Sequence, residues 1–296
     1  MLTALAVAPS SSSVIKARCM IQYEVARVAL PPVPSALTLA GPNPTITVPN
    51  SSSYQINGND DPLCGNNQNR PAIGTIGDGN LSGSGPSNQA TDSRNDIITA
   101  LTAPSVKTNN FSGVDGCTPD AQNVQNIANS LYTTPTGLND IVHNVMNAAT
   151  LTYPSGTSIN AATFGTTASP QVTVVNGDLS VSGNSNGAGI LLVTGTLTFS
   201  GTFTYNGVIL VIGNGVLQQG GGGNGNFTGA VIVANIAGNS NYATNPADAN
   251  LAGTLGSPTW NWNGGGGNGL QYSSCAIDIG MKSASYTVVA RREITY

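Results

Sequence analysis

A pattern repeated three times between residues 176 and 235 restricts the possible fold more than any other feature of this chain. The three units read NGDLSVSGNSNGAGILLV, TGTLTFSGTFTYNGVILV and GNGVLQQGGGGNGNFTGAVIV. Equivalent apolar residues recur at offsets of 18 to 22 residues, in the sets Leu179, Leu197 and Val216, and Ile190, Ile209 and Val231. Strand-like units of about 20 residues that end in Gly predict a parallel β-helix, or β-solenoid.

Within each unit, apolar and polar residues alternate as they do in a strand with one buried face. This alternation places Leu179 and Val181 inside, next to Leu197 and Phe199 of the following unit, and it also points Ile209 inward. No charged side chain occurs from residue 179 to residue 247. Because strands paired in register would set like charges side by side, neutral rows of Asn, Ser and Thr are expected there.

The solenoid, residues 171–281, is the third of four regions that the sequence predicts. Residues 1–30 form an N-terminal arm with a strand at 14–30, and residues 31–170 form an α+β cap of short helices and strands. Residues 282–296 form a closing strand rich in β-forming residues. The predicted fold class is therefore mainly β, with the cap on the flank or the open N-terminal end of the solenoid.

Three helices are predicted within the cap. The first begins at Ser93 and ends before Pro104. The second begins at Thr118, which precedes a Pro at the first helical position. The third spans about residues 137–149 and has one continuous apolar face. The second helix would carry the apolar stripe Val124, Ile127 and Leu131.

Charge is scarce in this chain, and its distribution excludes two classes of partner. Charged residues make up 7% of the 296 residues, the net charge is −4, and no Lys or Arg occurs between Lys107 and Lys282. Nucleic acids and anionic membranes are bound by clustered basic groups. No apolar run approaches the roughly 18–20 residues of a membrane helix. We therefore expect no nucleic-acid partner and no membrane span.

Four cysteines, Cys19, Cys64, Cys117 and Cys275, are too far apart in sequence for a paired metal-binding motif. In an exported protein they would form two disulfides, for which three connectivities exist. The Gly- and Asp-rich loops around Cys64 and Cys117 favour that pair, and Cys19 with Cys275 then remains. The alternative is four buried free thiols.

No residue set predicts a catalytic, cofactor-binding or metal site. His143 is the only histidine and lies off the apolar face of its helix, so we expect it to be solvated. Carbohydrate-cleaving enzymes need clustered carboxylates, and the repeats offer only Asp178. The segment 220–229 resembles a calcium-binding nonapeptide but has Asn226 where the acid would be, so a glycine corner is expected there.

Three aromatic residues near the C-terminus, Trp260, Trp262 and Tyr272, admit two interpretations. They form an exposed patch that contacts sugars or a neighbouring subunit, or they fill the end of the solenoid. The sequence alone leaves both open.

The repeats, together with WNWNGGGGNGLQYSSCAI near the C-terminus and LPPVPSALTL and YQINGND upstream, resemble the carboxy-terminal region of PilX-like type IV pilus assembly proteins. The similarity covers about residues 28–280 and consists of repeats, not of a catalytic signature. Members of this family typically start with a pilin-like hydrophobic helix, which this sequence does not show. We therefore expect either a piece of a longer protein or a protein that works apart from the pilus. A weaker resemblance is to bactofilins, which polymerise end to end.

The resemblance implies an exported, non-enzymatic protein associated with a pilus. The expected function is thus that of an extracellular or cell-surface structural protein, pilus-associated or self-assembling into a fibre. Unpaired strands at both ends of a solenoid would favour self-association. An adhesin or glycan-binding module is the alternative, and a carbohydrate-active enzyme is a remote one.

Overall fold

The computed structural model describes most of the chain and shows a mainly β protein with parallel sheets. The described residues are 2–8, 17–27, 30–65, 67–76, 93–104, 106–114, 123–127, 130–237, 255–264, 268–284 and 286–295.

The described structure contains twenty-one strands, four α-helices and two short 3-10 helices, Pro62–Cys64 and Thr108–Asn110. The strands are β1 Leu2–Ala8, β2 Ala17–Arg27, β3 Leu37–Ala40, β4 Thr45–Thr47, β5 Tyr54–Asn57, β6 Ile73–Thr75, β7 Phe111–Ser112, β8 Val124–Asn126, β9 Leu151–Pro154, β10 Thr157–Asn160, β11 Thr163–Phe164, β12 Gln171–Asn176, β13 Leu179–Ser182, β14 Ser185–Val193, β15 Thr196–Phe199, β16 Phe203–Gly213, β17 Val216–Gln219, β18 Gly225–Asn235, β19 Thr259–Asn261, β20 Asn268–Tyr272 and β21 Tyr286–Thr295. The helices are α1 Ser93–Leu101, α2 Ser130–Thr133, α3 Pro135–Asn147 and α4 Ser274–Ser283.

Two large sheets contain only parallel pairs. The six-stranded sheet has the order β10-β13-β15-β17-β19-β4, and the twelve-stranded sheet has the main path β7-β5-β20-β18-β16-β14-β12-β9. Strands from one repeat unit thus alternate between the two sheets and pair with the equivalent strands of the next unit. Parallel pairs of this kind are produced by the repeat periodicity that the sequence shows.

The strands pair in a register that sets like residues side by side. Leu179 pairs with Leu197 and Val181 with Phe199, and all four are buried, as predicted. The register of the third unit was predicted wrongly by one residue, because Leu197 pairs with Leu217 and not with Val216. The third unit is two residues longer at each of two corners, 212–215 and 220–224, so the offset grows from 18 to 20 and then to 22.

Two further predicted equivalences are also wrong. Ile190 pairs with Val208, whereas Ile209 pairs with Leu191 and Val231. From the sequence, Asn268-Gly269 is expected where the second repeat has Asn206-Gly207. Instead, Gly269 pairs with Asn226, which pairs with Thr204, so Gly269 lies three residues away from the position equivalent to Gly207.

Strands from the N-terminal part of the chain extend both sheets beyond the last repeat. β3 pairs with β18, β4 with β19 and β5 with β20, in each case in parallel. The division into four regions remains a prediction, but a separate α+β cap is poorly supported, because these strands share the sheets of the repeats. The chain thus covers its C-terminal repeats with its own N-terminal residues.

Two of the predicted helices are confirmed, and the other is wrong. α1 begins at Ser93, and α3 begins after Thr134, whose Oγ1 accepts a hydrogen bond from the N–H of Gly137. α3 buries its apolar face on β12, β14 and β16, on the flank of the twelve-stranded sheet. The helix predicted from residue 118 through Leu131 does not form as such, because Val124 lies in β8, which pairs with β6.

The remaining helix, α4, was not predicted, because its residues had been assigned to the repeat. It packs on β14, β16 and β18. Gly280 of α4 lies against the backbone of Gly189 and the side chain of Ile190. Residues of the Ile190 row therefore face the helix, and alternation turns Ile209 towards the interior between the sheets. Gly207 pairs with Gly189 and has a φ of 133°, and a Cβ at Gly207 would collide with the carbonyl of Gly189.

Aromatic rings run through the interior along the direction of the repeats. Phe199 lies 5.5 Å from Phe227 and 5.0 Å from Trp262, measured between ring centroids. Phe203 joins this group to Phe164 at 6.1 Å, and Tyr54 joins it at the other side through Trp262 at 5.5 Å. These side chains are fully buried. Edge-on and tilted aromatic pairs at such distances contribute about 0.5–1.5 kcal/mol each beyond their buried area.

The strands predicted near the two termini are both present, and they pair with each other. β1, β2 and β21 form a separate antiparallel three-stranded sheet, in which β2 lies in the centre. The guanidinium of Arg292 donates a hydrogen bond to the Gln22 side chain at 3.0 Å.

We expect the change Ile209→Asp to reduce the free energy of unfolding by several kcal/mol, because Ile209 is 1% exposed and the new carboxylate would have no partner. Denaturant titration followed by circular dichroism measures the effect. Asn226→Asp is the matched control, since Asn226 is exposed in the adjacent strand β18. Equal midpoints for the two variants would show that Ile209 does not point inward.

Candidate functional site

The N-terminus of α4 is joined to the loop after β5, and this junction contains a cluster of polar contacts around Asp60. Asp60 is buried there, with 7% of its surface exposed. Its Oδ1 accepts a hydrogen bond from the backbone N–H of Ser274 at 2.8 Å, and its Oδ2 accepts one from the Ser274 hydroxyl at 2.7 Å. The N–H of Gln68 also donates to Oδ2, at 3.0 Å.

Each of the first three N–H groups of α4 has an acceptor. The N–H of Ser274 donates to Asp60, that of Cys275 donates to the Cys64 sulfur at 3.3 Å, and that of Ala276 donates to the hydroxyl of Ser273 at 3.3 Å. Helix N-termini leave such donors without partners inside the helix, and a carboxylate there is stabilised by the helix dipole. The junction thus fixes both the start and the direction of α4.

Hydrogen bonding decides the charge state of Asp60. Burial is the largest influence and raises the pKa of the carboxyl. The hydrogen bonds from Ser274, from the backbone of Gln68 and from that of Asp61 together outweigh burial, so the pKa of Asp60 lies below its ordinary value. Asp60 is therefore ionised at neutral pH and stabilises the folded state in that form.

A disulfide between Cys64 and Cys275 closes the same junction. The two residues are 211 positions apart in sequence, and their Cα atoms lie 5.4 Å apart. The predicted pairing of Cys64 with Cys117 is therefore wrong, as is that of Cys19 with Cys275. Parallel pairing of β5 with β20 brings the two loops together. Cys19 lies in β2, and Cys117 lies outside the described residues.

The three aromatic residues do not form an exposed patch, so that interpretation is wrong. Trp260 and Trp262 are fully buried and stacked on each other with ring centroids 5.3 Å apart. The indole N–H of Trp260 donates to the Tyr54 hydroxyl at 3.1 Å. They do not fill an end either, because β19 lies between β17 and β4. Tyr272 is buried elsewhere, beside a cleft of about 290 Å³ that Arg70 and other residues line.

An uncharged groove of about 210 Å³ crosses the outer surface of the twelve-stranded sheet. Its floor is Gly269, which has a φ of 124° and at which a Cβ would collide with the carbonyl of Gln55. Asn226 and Gln55 flank this position and are exposed. Further lining residues are Ser53, Asn57, Leu270 and Gln271.

Hydrogen bonds fix two amide side chains of the groove. The amide N of Asn57 donates to Gln271 Oε1 at 2.9 Å, and the amide N of Gln271 donates to the Asn59 carbonyl at 2.6 Å. The groove therefore presents a fixed, neutral set of donors and acceptors. Such a surface suits an uncharged, hydroxyl-rich ligand better than an ion.

The other residues singled out from the sequence lie apart from both places. His143 is half-buried on α3, and its Nε2 is buried without a hydrogen-bond partner among the described residues, so the prediction of a solvated side chain is only partly correct. Asp178 is exposed, and its Oδ1 accepts from the N–H of Thr196 at 2.6 Å. Residues 220–224 connect β17 to β18 as a corner, as predicted.

The described residues contain no group of three or more His, Cys, Asp or Glu side chains that could hold a metal ion. Among the helices that the structure describes, none has the length and apolar character needed to cross a membrane. Comparison with known proteins found no match to a protein-family model, to a curated protein or to a solved structure. The PilX-like resemblance is therefore untested.

We expect removal of the disulfide to reduce the free energy of unfolding by about 3–5 kcal/mol, because the crosslink joins residues far apart in sequence and restricts the unfolded chain. Cys275→Ser is compared with Cys19→Ser as control by denaturant titration. Alkylation without reductant and peptide mapping should yield a linked pair containing Cys64 and Cys275. Four alkylated thiols in freshly isolated protein would contradict the assignment.

Asp60 should make stability depend on acid pH. Because its pKa is lowered in the folded state, its contribution is complete above about pH 5 and is lost as the pH falls below the ordinary value of about 3.9. We expect Asp60→Asn to be less stable at pH 7 by about 1–3 kcal/mol and to show a shallower loss towards pH 2. Exposed Asp140→Asn is the control. Parallel stability curves for wild type and Asp60→Asn would refute this role.

Proposed function

We propose that this protein is an extracellular structural protein, either associated with a pilus or assembled from further copies of itself, and that its parallel sheets close into a β-solenoid. One observation carries the proposal. The same apolar row continues from one repeat to the next and then into the N-terminal strand β4. The row consists of Leu179, Leu197, Leu217, Trp260 and Ile46, all of them buried.

A continuous buried row makes a stiff body in which each strand between the two end strands is held by two neighbours. The six strands of the smaller sheet, spaced by about 4.8 Å, extend for roughly 24 Å. The outward row beside it is neutral throughout, and its members are Ser158, Ser180, Thr198, Gln218, Asn261 and Thr47. A stiff, uncharged rod suits a scaffold, and solenoids of this type are often used as such.

The disulfide supports an extracellular location. Disulfides form and persist in oxidising compartments and are rare in reducing ones. The Cys64–Cys275 bond is compatible with export, and so is the finding that none of the described helices is suited to cross a membrane. The pilus association rests on the resemblance of residues 28–280 to PilX-like proteins.

A second candidate function, binding of a neutral glycan, is favoured by the groove over Gly269. Sugars present many hydroxyl groups and no charge, and fixed amide groups pair with hydroxyls as both donors and acceptors. The buried tryptophans do not take part. The exposed amides of Asn226 and Gln55 would make the contacts, beside the fixed amides of Asn57 and Gln271. A carbohydrate-active enzyme has no observation in its favour and is not proposed.

Self-association is tested by size-exclusion chromatography with light scattering between about 1 µM and 1 mM, together with negative-stain electron microscopy. We expect assemblies larger than a monomer at the upper concentrations, since charge repulsion along the repeats is small. A monomer at every concentration, with no pilus component recovered by crosslinking on the cell surface, would overturn the structural role.

Glycan binding is tested on a carbohydrate array with the wild type, Asn226→Ala and Asn186→Ala. We expect Asn226→Ala to weaken binding of a neutral glycan about tenfold, through the loss of one or two hydrogen bonds. Asn186→Ala is the matched control, because Asn186 is exposed in the same row of side chains but outside the groove. Equal loss in both variants, or no binding by the wild type, would remove this candidate.

A further inference from the structure

The two ends of the six-stranded sheet differ in how they are covered. At one end, α1 packs against β4 and β8. Ile97 and Leu101 of this helix are fully buried, and the Arg94 Nε donates to the Val124 carbonyl at 2.9 Å. The helix thus covers the end of the sheets formed by the N-terminal strands.

At the other end lies the β10 edge, Thr157–Asn160. Among the described elements, β10 packs substantially only against β13. The edge has none of the features that protect sheet edges, such as a charge, a proline or a bulge within the strand. Charged residues are absent from 141 to 177 as a whole.

The backbone direction of the β10 edge follows from one hydrogen bond. The N–H of Ala161 donates to the Ser182 carbonyl at 3.0 Å, so the odd-numbered residues direct their backbone groups towards β13. Because these directions alternate along a strand, Ser158 and Asn160 direct their N–H and C=O groups away from β13. These two residues are symmetrically placed about Ile159.

We propose that the β10 edge pairs in antiparallel orientation with the β10 edge of a second copy of this chain, about a two-fold axis at Ile159. Ser158 of each copy then exchanges two hydrogen bonds with Asn160 of the other, which gives four in total. The proposal specifies how the structural protein proposed above would associate with a second copy, and it rests on that proposed function.

A second copy suits this edge better than other partners for three reasons. The arrangement of donors and acceptors is self-complementary, so each copy supplies what the other lacks. The neutral segment attracts no charged partner, and it lets two copies of a chain with net charge −4 approach. α1 covers the opposite end, so head-to-tail pairing is blocked while head-to-head pairing is open.

Apolar contact would add to the four hydrogen bonds. β9 and β10 are the end strands of the two large sheets. Their inward-facing residues are only half-buried, although the equivalent positions of the following repeats are fully buried; these residues are Leu151, Tyr153 and Ile159. Pairing about Ile159 sets the two copies of this residue opposite each other on that side, since facing residues in antiparallel strands share a face. Water is then excluded from the end of the interior.

The first test compares Ser158→Pro with Ser158→Ala by light scattering and sedimentation equilibrium on the full chain. Proline removes the outward N–H of Ser158 and leaves the hydrogen bonds to β13 in place. We expect wild type and Ser158→Ala to dimerise, and Ser158→Pro to dimerise about tenfold or more weakly with an almost unchanged melting temperature. Equal dimerisation of all three proteins would overturn the proposal.

The second test determines which residues of the two β10 strands face each other. In the proposed pairing Ile159 faces its own copy, whereas Ser158 faces Asn160. Mild oxidation with glutathione disulfide should therefore link Ile159→Cys as a covalent dimer through residue 159, located by peptide mapping, while Ser158→Cys stays unlinked at residue 158.

The outcomes separate this proposal from the function on which it rests. Oligomers or filaments that persist in Ser158→Pro and show no link through residue 159 would refute the β10 edge but keep a self-assembling structural protein. A wild type that is monomeric at every concentration would refute self-association itself. Protection of the Ser158 amide from hydrogen exchange in such a monomer would show that another part of the same chain covers the edge.

Discussion

Parallel pairing in register is the constraint on which the rest of this structure depends. When each strand lies on its equivalent in the next repeat, every side chain meets others of its own position, so a residue type is acceptable only if it tolerates neighbours like itself. Leucine on leucine and aromatic on aromatic satisfy this inside, and Ser, Thr, Asn and Gln satisfy it outside. Charge does not, which explains its absence from residues 179 to 247.

The few strong polar contacts are therefore concentrated where the pairing of repeats ends. The carboxylate of Asp60 and the disulfide both bind the start of α4, and both connect an N-terminal loop with C-terminal residues. α4 in turn packs on the sheet that the repeats form. One junction thereby holds three parts of the chain that no repeat relates to one another, and it does so without placing a charge within the rows.

The sequence allowed prediction of those elements whose local pattern and final environment agree. The inward alternation at Leu179 and Leu197 and the amphipathic face of α3 are local properties, and both are confirmed. The register beyond Leu197 was wrong because two corners gained residues without any change in the strands. β8 and α4 were missed because their apolar spacing suits helix and strand alike. The partner of Cys64 depends on a pairing between β5 and β20, which no local pattern reveals.

The position of the N-terminal strands has a consequence for how the protein is made. β3, β4 and β5 pair with β18, β19 and β20, which leave the ribosome about 200 residues later. During synthesis these early strands have no edge to join, and contacts between such distant residues form slowly. The repeats in the middle can assemble first, but their last strand stays bare until the earliest-made part of the chain returns to it. Chain growth and assembly thus proceed in different orders. A chain stopped before β20 would leave β5 without its partner strand and would expose the part of β18 that β20 covers.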